Sequence, residues 1–479
     1  MANLKSLFKD TAVYGLSSIV GRFLNYLLVP LYTVKISAAS GGYGVVTNVY
    51  AYTALLMVLL TYGMETTFFR YANKPGQDVG RVYSTVLASV GATALAFVAL
   101  VMLCLKPVSA WLGYADHPEW VGVMAVVVAI DAFRCIPFAL LRMQKKAVKF
   151  AALQLFNILL TIALNLIYFL PMGGNDVGAI FHINLVCSVA TTLLLFRELA
   201  LFRPSLASRP LLAEMLRYAW PILVLGLAGI LNQTADKLLF PHIYKGEDAM
   251  AQLGIYGACV KIAMIMAMIT QAFRYAYEPF VFGGSRQKEQ DQKQTQAQAM
   301  LYFVLFTLLA YLAVVGYMPL LRHLIGQDYW SGLRVVPIVM AAEMMMGVYF
   351  NLSFWYKLTD RTIWGAIFSG VGCAVLIGVN VAFVPRYGYM ACAWGGVAGY
   401  GVAMLLSYFV GQHYYPVRFP MGTIFTFVAL CVPLAWAMQW LNDNQPTLAA
   451  LTLNTLLLAV FAAAIVLPML KKRRAAGRK

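Results

Sequence analysis

Charged side chains are scarce in this chain. Asp, Glu, Lys and Arg make up 11% of its 479 residues, whereas 61% of the residues are hydrophobic, and the mean hydropathy is +0.73. A soluble domain of this length needs a larger charged surface, and a disordered chain contains far fewer apolar residues. The composition therefore excludes both classes and leaves a protein that is solvated by lipid.

Clusters of metal-ligating or nucleophilic side chains are missing as well. The seven cysteines all lie inside apolar runs, and the five histidines are scattered: Cys104, Cys135, Cys187, Cys259, Cys373, Cys392, Cys431, His117, His182, His242, His323 and His413. Their spacing matches no disulfide framework, metal site or nucleophile–base pair. We therefore expect no metal, no organic cofactor and no catalytic residue. An enzyme that polymerises or ligates lipid-linked sugars is disfavoured.

Apolar runs of membrane-span length recur from one end of the chain to the other. They are continuous rather than alternating with a period of two, which indicates an all-α polytopic membrane protein and not a β-barrel. We predict fourteen spans, numbered in chain order, at about 11–33, 43–71, 81–105, 118–142, 149–170, 176–198, 216–240, 251–282, 299–321, 329–356, 362–384, 389–412, 420–441 and 447–470.

Basic residues are distributed unevenly between the two sides of these spans. With the amino terminus inside, 25 of the 36 lysines and arginines fall on inner segments, 5 on outer segments and 6 well within spans. Because basic loops stay on the cytoplasmic side, both termini are predicted to be cytoplasmic. This signal and attraction to anionic membrane lipids account for the net charge of +17, so nucleic-acid binding is not expected.

The chain contains an internal repeat of about 212 residues. "GLSSIVGRFLNYLLVP" at 15–30 aligns with "GLAGILNQTADKLLFP" at 226–241 with six of sixteen positions identical, and "YG" at 43–44 aligns with "YG" at 256–257. Two parallel six-helix lobes related by a pseudo-twofold axis are typical of transporters. We predict an N-lobe at 1–200, a C-lobe at 201–415, two additional helices at 416–470 and a basic cytoplasmic tail at 471–479.

The first span carries an arginine near its middle, in "GLSSIVGRFLNYLLVPLY". A charge at a helix centre costs about 2.5–3.5 kcal/mol on insertion scales, so it must face protein or water. Ser18, Arg22 and Asn25 share one face of this helix. We predict that Arg22 and Asn25 line a hydrated cavity and bind an anionic substrate. The alternative is an ion pair buried between helices.

Further intramembrane charges lie in spans 7, 8 and 10. Lys237, Lys261 and Arg274 are predicted to be additional substrate-binding cations. Asn232 and Asp236, one turn apart in "NQTADK", offer the oxygen atoms of a Na⁺ or H⁺ coupling site. Neutralisation of this aspartate by the adjacent lysine is the alternative.

Three acidic side chains, Glu343, Glu65 and Glu278, have several possible roles. Glu343 in span 10 acts in ion coupling, pairs with a cation on a neighbouring helix, or is protonated. Glu65 with Arg70, and Glu278, lie near the inner ends of spans 2 and 8. Their positions suit an inner gate closed by salt bridges, or equally the anchoring of helix ends.

One intramembrane pair is assigned a structural role. Asp131 and Arg134 lie three residues apart in span 4. Residues at this spacing share a helix face, so we predict that their charges neutralise each other.

Three segments carry a family resemblance: "TAVYGLSSIVGRFLNYLLVPLYT", "YGVVTNVYAYTALLMVLLTYGMETTFFRYA" and "YAWPILVLGLAGILNQTADKLLF". Through them the chain resembles the multidrug/oligosaccharidyl-lipid/polysaccharide (MOP) exporter superfamily. Within it the chain most resembles the polysaccharide flippase branch, the Wzx-like O-antigen and capsule transporters. The likeness covers nearly the whole chain.

The resemblance implies a flippase of the bacterial inner membrane. Such a protein moves undecaprenyl-pyrophosphate-linked oligosaccharides from the inner to the outer leaflet by alternating access, for lipopolysaccharide or capsule biosynthesis. Cationic cavity residues would bind the lipid diphosphate. Arg22 is the position to which this role carries over most directly from the family. The implied partners are this lipid-linked substrate, membrane lipids, glycosyltransferases and a polysaccharide polymerase.

Two related transport functions compete with this interpretation. A peptidoglycan-precursor flippase shares the same span count and cavity chemistry, and the sequence does not separate it from a polysaccharide flippase. A cation-coupled drug antiporter is disfavoured, because the drug exporters that the chain resembles rely on an acidic residue in the first span. This chain has Arg22 there, and a cavity of Arg and Lys repels a cationic drug.

Overall fold

The computed structural model describes residues 26–283, 289–359 and 361–476, which form helices joined by short turns. The α-helices are α1 (Leu28–Lys35), α2 (Gly42–Thr61), α3 (Met64–Ala72), α4 (Val79–Leu103), α5 (Leu105–Trp111), α6 (Pro118–Met143), α7 (Ala147–Phe169), α8 (Gly178–Leu194), α9 (Phe196–Leu199), α10 (Arg209–Ile243), α11 (Ala249–Gly283), α12 (Glu289–Gly316), α13 (Met318–Leu321), α14 (Val335–Leu352), α15 (Phe354–Leu358), α16 (Ile363–Tyr387), α17 (Tyr389–Tyr414), α18 (Met421–Asn444) and α19 (Thr447–Ala476).

The all-α membrane fold class is confirmed. Within the described residues, 12 helices are long and apolar enough to cross a membrane. They match twelve of the fourteen predicted spans. The predicted sixth span becomes the shorter apolar helix Gly178–Leu194, and most of the predicted first span lies outside the described residues. The count of fourteen stays a prediction.

The second span is not one continuous helix. Tyr62 and Gly63 have φ angles of 33° and 73° and separate α2 from α3. Such positive angles are strained for a tyrosine and readily adopted by glycine, so the helical hydrogen bonding stops there. The polar segment after the break, which contains Glu65 and Arg70, thus forms a short helix of its own.

The chain divides into two compact units, Met1–Gly257 and Ala258–Lys479. In the first unit, a buried cluster around Met64, Phe68 and Tyr83 joins α3, α4 and α6 to the start of α10. In the second unit, a cluster around Phe303, Leu312 and Phe461 joins α12 to α18 and α19. The lobe boundaries predicted from the repeat stay predictions.

The two carboxyl-terminal spans dock on α12 through amide side chains. The Asn442 amide donates to the carbonyl of Val315 at 2.9 Å, and the Asn454 amide donates to the carbonyl of Gly316 at 2.9 Å. Both carbonyls belong to the last turn of α12, where no intrahelical partner is available. Polar side chains in apolar helices thus define where α18 and α19 attach.

Helix α2 approaches the start of α11 at glycine residues. A Cβ atom on Gly44 would lie 1.8 Å from the Met250 carbonyl oxygen, and one on Gly254 would lie 2.8 Å from the Gly44 nitrogen. A Cβ atom on Gly257 would likewise lie 2.4 Å from Thr47 Oγ1. Small residues permit such contacts between membrane helices. The repeated "YG" motifs therefore meet at this crossing within the first unit.

Candidate functional site

Arg22 and Asn25, the substrate-binding residues predicted in the first span, lie outside the described residues, as does the side chain of Glu278. The predicted cavity and gate roles of these three residues stay predictions. The other candidate residues belong to helices α3, α10, α11 and α14.

Asp236 and Lys237 form an ion pair in α10 near the carboxyl-terminal end of the helix. The Lys237 Nζ atom lies 3.0 Å from each carboxylate oxygen of Asp236, and the two side chains are 19% and 10% exposed. The Tyr256 hydroxyl of α11 donates to Asp236 Oδ2 at 2.6 Å. Two donors from different helices therefore hold this largely buried carboxylate.

The same region contains residues that sequence reasoning did not select. The Asn48 amide of α2 donates to the Lys237 backbone carbonyl at 2.8 Å, and the Tyr114 hydroxyl donates to Asn48 Oδ1 at 2.6 Å. Burial raises the pKa of Tyr114, which keeps this hydroxyl protonated as a donor. The repeated "YG" motif could have drawn attention to Tyr256 in the sequence, whereas no sequence pattern indicates Asn48 or Tyr114.

Asn232 lies one turn before Asp236 and is buried at 5% exposure. Its amide donates to the Ala228 carbonyl, one turn earlier in the same helix, at 2.9 Å. The side-chain oxygen of Asn232 and the Asp236 carboxylate remain on one helix face, as their spacing requires. Ion coupling at these residues stays a prediction, and the observed contacts of Asp236 are Lys237 and Tyr256.

The predicted inner-gate residues of α3, Glu65 and Arg70, contact two different helices. Glu65 forms a salt bridge with Arg142 of α6. The Arg70 guanidinium lies 4.0 Å from the centre of the Tyr218 ring of α10. Nearby, Lys74 binds Glu214 of α10 at 3.0 Å. Helix α3 is thus tied to α6 through Glu65 and to the start of α10 through Arg70.

Asp131 and Arg134 of α6 form the predicted intrahelical pair. The Arg134 Nη2 atom lies 3.0 Å from Asp131 Oδ1, and the Ser188 hydroxyl of α8 donates to the same oxygen at 2.7 Å. The pairing prediction is confirmed. Because both charges are engaged with neighbouring groups, this pair stabilises the helix packing of the first unit.

The remaining candidates lie in the second unit. Lys261 and Arg274 belong to α11 and Glu343 belongs to α14, and all three are half-buried. The Arg274 guanidinium lies 5.1 Å from the centre of the Phe350 ring of α14, an attractive cation–π geometry. Arg274 also lines a pocket between these helices. Half-buried cations within spans are suited to an anionic ligand.

A family described as "Polysaccharide biosynthesis protein" matches residues 40–332. A curated relative, "Lsg locus putative protein 1" of Haemophilus influenzae, is 20% identical over 343 residues, which cover 67% of this chain and 78% of that protein. The matched family region includes Lys237, Lys261 and Arg274.

Solved membrane proteins share the fold. A structure titled "Lipid II flippase MurJ, inward closed conformation" has a TM-score of 0.75 at 12% identity, covering 95% of this chain and 99% of that one. An inward-facing multidrug resistance MATE family transporter of the MOP superfamily has a TM-score of 0.62 at 16% identity, covering 84% and 94%. At such low identity these likenesses establish the architecture alone.

Proposed function

The chain belongs to the polysaccharide biosynthesis protein family, and from that premise we propose that it is a flippase for an anionic lipid-linked oligosaccharide. The substrate is an undecaprenyl-pyrophosphate-linked sugar used for surface polysaccharide. It moves from the inner to the outer leaflet of the bacterial cytoplasmic membrane by alternating access. The chain performs transport and no bond chemistry.

The observation that carries this proposal is the set of basic side chains within apolar helices. Lys237, Lys261 and Arg274 lie in spans of a protein family that handles polysaccharide. Each such charge costs about 2.5–3.5 kcal/mol at the centre of an isolated helix, so it is retained where it meets protein, water or ligand. Cationic side chains within spans attract a diphosphate and repel cationic drugs. Arg22 and Asn25 in the first span complete the proposed substrate site.

The proposed cycle uses ion coupling and an inner gate. Asn232, Asp236 and Glu343 are the candidates for Na⁺ or H⁺ coupling, which would assist the return of the empty protein. Because Asp236 is paired with Lys237 in the present conformation, the cation would enter only when that pair separates. Glu65, Arg70 and Glu278 are the proposed gate residues at the cytoplasmic end, where Arg70 already contacts α10.

The proposed setting is the inner membrane with both termini in the cytoplasm. The 25-to-5 distribution of basic residues between inner and outer segments supports this orientation. Glycosyltransferases that build the lipid-linked sugar and a polymerase that consumes it are the expected functional partners.

A second candidate is a flippase for peptidoglycan precursors. Its support is the TM-score of 0.75 and the 95% coverage obtained with the structure titled as the lipid II flippase MurJ. Both candidates bind a lipid diphosphate and differ in the attached sugar. The family match favours the polysaccharide substrate.

The deciding experiment is a flipping assay in proteoliposomes with two fluorescent substrates, a lipid-linked O-antigen repeat and lipid II. We expect transport of the first, and slower or no transport of the second. Arg22→Ala should lower the rate at least tenfold, whereas Lys35→Ala, a basic residue at a helix end, should leave it unchanged. Equal rates for wild type and Arg22→Ala would remove that arginine from the proposed substrate site.

A further inference from the structure

The first unit contains an accessible polar contact well inside its membrane helices. The Asn184 amide of α8 donates to the Tyr50 hydroxyl of α2 at 2.6 Å, in an exposed position, and Tyr50 is 38% exposed. With a rise of about 1.5 Å per residue, Tyr50 lies about 12 Å from the start of α2, and Asn184 lies about 9 Å from the start of α8. Both side chains are therefore accessible at a depth where membrane spans are predominantly apolar.

An ion pair lies one helical turn from this contact. Ser188 follows Asn184 by four residues, so both side chains lie on one face of α8. The Ser188 hydroxyl donates to Asp131 Oδ1 at 2.7 Å, and Arg134 Nη2 lies 3.0 Å from the same oxygen. The Asp131 and Arg134 side chains are 23% and 14% exposed. Because charged groups within spans face protein or water rather than lipid, we infer that this accessible face is hydrated.

The ion pair does not use all of its hydrogen-bonding groups. The Arg134 Nη1 atom is buried and has no hydrogen-bond partner among the residues that the structure describes. Both contacts of Asp131 in that part of the chain use Oδ1, so Oδ2 remains as a second acceptor. Buried N–H groups are nearly always hydrogen-bonded, because burial without a partner is costly. Beside a hydrated face, the unpaired guanidinium arm is a donor for a polar ligand.

The groups on this face are mixed in type and neutral in sum. The charges of Asp131 and Arg134 cancel. The guanidinium supplies donors, the carboxylate supplies acceptors, and the amide of Asn184 and the hydroxyl of Tyr50 can do both. The Tyr50 ring adds an apolar surface next to its polar tip. A set without net charge has little attraction for a diphosphate, and the guanidinium repels a metal cation.

We propose that Tyr50, Asp131, Arg134 and Asn184 form a saccharide-binding subsite in the first unit. The hydroxyl groups of a sugar both donate and accept hydrogen bonds, and the C–H groups of its ring pack on aromatic surfaces. This combination matches the mixed set of donors, acceptors and one tyrosine ring. The assignment of the ligand to the glycan of the lipid-linked substrate rests on the proposed function. The same chemistry accepts a free saccharide.

The test measures equilibrium binding to the full-length protein in phosphatidylcholine nanodiscs. The probes are undecaprenyl diphosphate, the same lipid carrying N-acetylglucosamine or galactose, and the two free sugars. We expect the wild type to bind at least one sugar-bearing lipid about tenfold more tightly than bare undecaprenyl diphosphate, because a few neutral hydrogen bonds give a factor of this size. Equal affinity for the three lipids, with no binding of either free sugar, would overturn the subsite.

Three variants locate the gain in affinity. Tyr50→Phe and Asn184→Ala should each weaken binding of the sugar-bearing lipid about threefold to tenfold and leave the affinity for undecaprenyl diphosphate unchanged. Arg134→Lys keeps the positive charge that neutralises Asp131 but removes the second guanidinium arm. It should likewise lower only the affinity for the sugar-bearing lipid. A variant series that weakens binding of the bare and the sugar-bearing lipid equally would contradict a saccharide subsite.

Tyr52→Phe is the matched control for Tyr50→Phe. The Tyr52 hydroxyl also contacts a side chain of another helix, lying 3.0 Å from His242 Nε2 of α10. Residues two apart on a helix lie on nearly opposite faces, so Tyr52 is not part of the subsite. Both variants should lower the thermal unfolding temperature to a similar extent, and only Tyr50→Phe should lower the affinity for the sugar. Equal losses of sugar affinity would make the role of Tyr50 structural and overturn the subsite.

The free sugars and the flipping assay separate the remaining outcomes. Sensitivity of the variants confined to the free sugars would keep the subsite and assign it to a soluble saccharide. If the wild type flips lipid-linked sugars and the three variants match its affinity for every probe, the subsite fails and the function stands. If the wild type flips neither fluorescent substrate but its affinity for sugar depends on Tyr50 and Asn184, the function fails and the subsite stands.

Discussion

At the scale of single residues, buried charges in this protein are stabilised by donors from their own helix and from a neighbouring one. Asp236 accepts from Lys237 of its own helix and from Tyr256 of α11. Removing one member of a buried ion pair costs more than removing both, because the remaining charge is left in a medium that cannot solvate it. The pair should therefore behave as one unit in mutagenesis.

We predict that Lys237→Met lowers the stability by about 3–5 kcal/mol. The double variant Asp236→Asn with Lys237→Met should lose much less, since the asparagine oxygen still accepts from Tyr256 and no charge is buried. Thermal unfolding of the single and double variants in detergent measures the difference. Additive losses in the double variant would contradict the pairing.

A neutral residue in the same region should also be sensitive. Asn48 is 1% exposed, donates to the Lys237 carbonyl and accepts from Tyr114. Asn48→Ala leaves both partners unsatisfied and should cost about 1–3 kcal/mol in unfolding free energy. Asn73→Ala is the control, because the Asn73 amide binds only the Phe69 carbonyl of its own helix at an exposed position. Equal unfolding temperatures for the two variants would count against this network.

At the scale of helices, the crossing of α2 with the start of α11 depends on the absence of side chains. Gly44→Ala would place a methyl group against the Met250 carbonyl, and a backbone atom cannot rotate away as a side chain can. We predict a loss of about 1–3 kcal/mol or more. Gly229→Ala, with no atom within 4 Å of the added Cβ, should be neutral or stabilising by up to about 1 kcal/mol. Folded yield and unfolding temperature of the two variants compare these effects.

The attachment of α18 and α19 gives a second test at this scale. Asn454 is fully buried and donates to both the Gly316 carbonyl and Asn442 Oδ1. Asn454→Leu should cost about 1–3 kcal/mol. Asn444→Leu removes only an exposed contact within α18 and should change the stability by no more than about 0.5 kcal/mol. Unfolding temperatures that fall equally would show that the Asn454 amide does not hold the two helices.

At the scale of the whole molecule, the proposed transport moves negative charge outward across an inside-negative membrane. Each such charge gains about 2.3 kcal/mol per 100 mV. We predict that a potassium diffusion potential, negative inside, accelerates flipping in proteoliposomes that contain the protein in the predicted orientation. A rate that is the same with this K⁺ gradient and with equal K⁺ on both sides, valinomycin being present in both cases, would separate the transport cycle from the charge of its substrate.

The sequence was most informative where structure depends on neighbours along one helix. The apolar runs predicted twelve of the described spans, and the i, i+3 spacing of Asp131 and Arg134 predicted their ion pair. The family resemblance is likewise confirmed by the match over residues 40–332. These features follow from the length of an apolar run and the geometry of a single turn.

Contacts between distant segments needed the tertiary structure. The pairing of Glu65 with Arg142, of Tyr256 with Asp236 and of Asn48 with the Lys237 carbonyl joins residues up to 189 positions apart. The break at Tyr62 and Gly63 and the contact of Asn184 with Tyr50 were equally absent from the sequence pattern. Periodicity determines which face of a helix is polar. The rotation and depth at which that face meets another helix depend on side-chain packing across the whole bundle, and only the folded chain decides them.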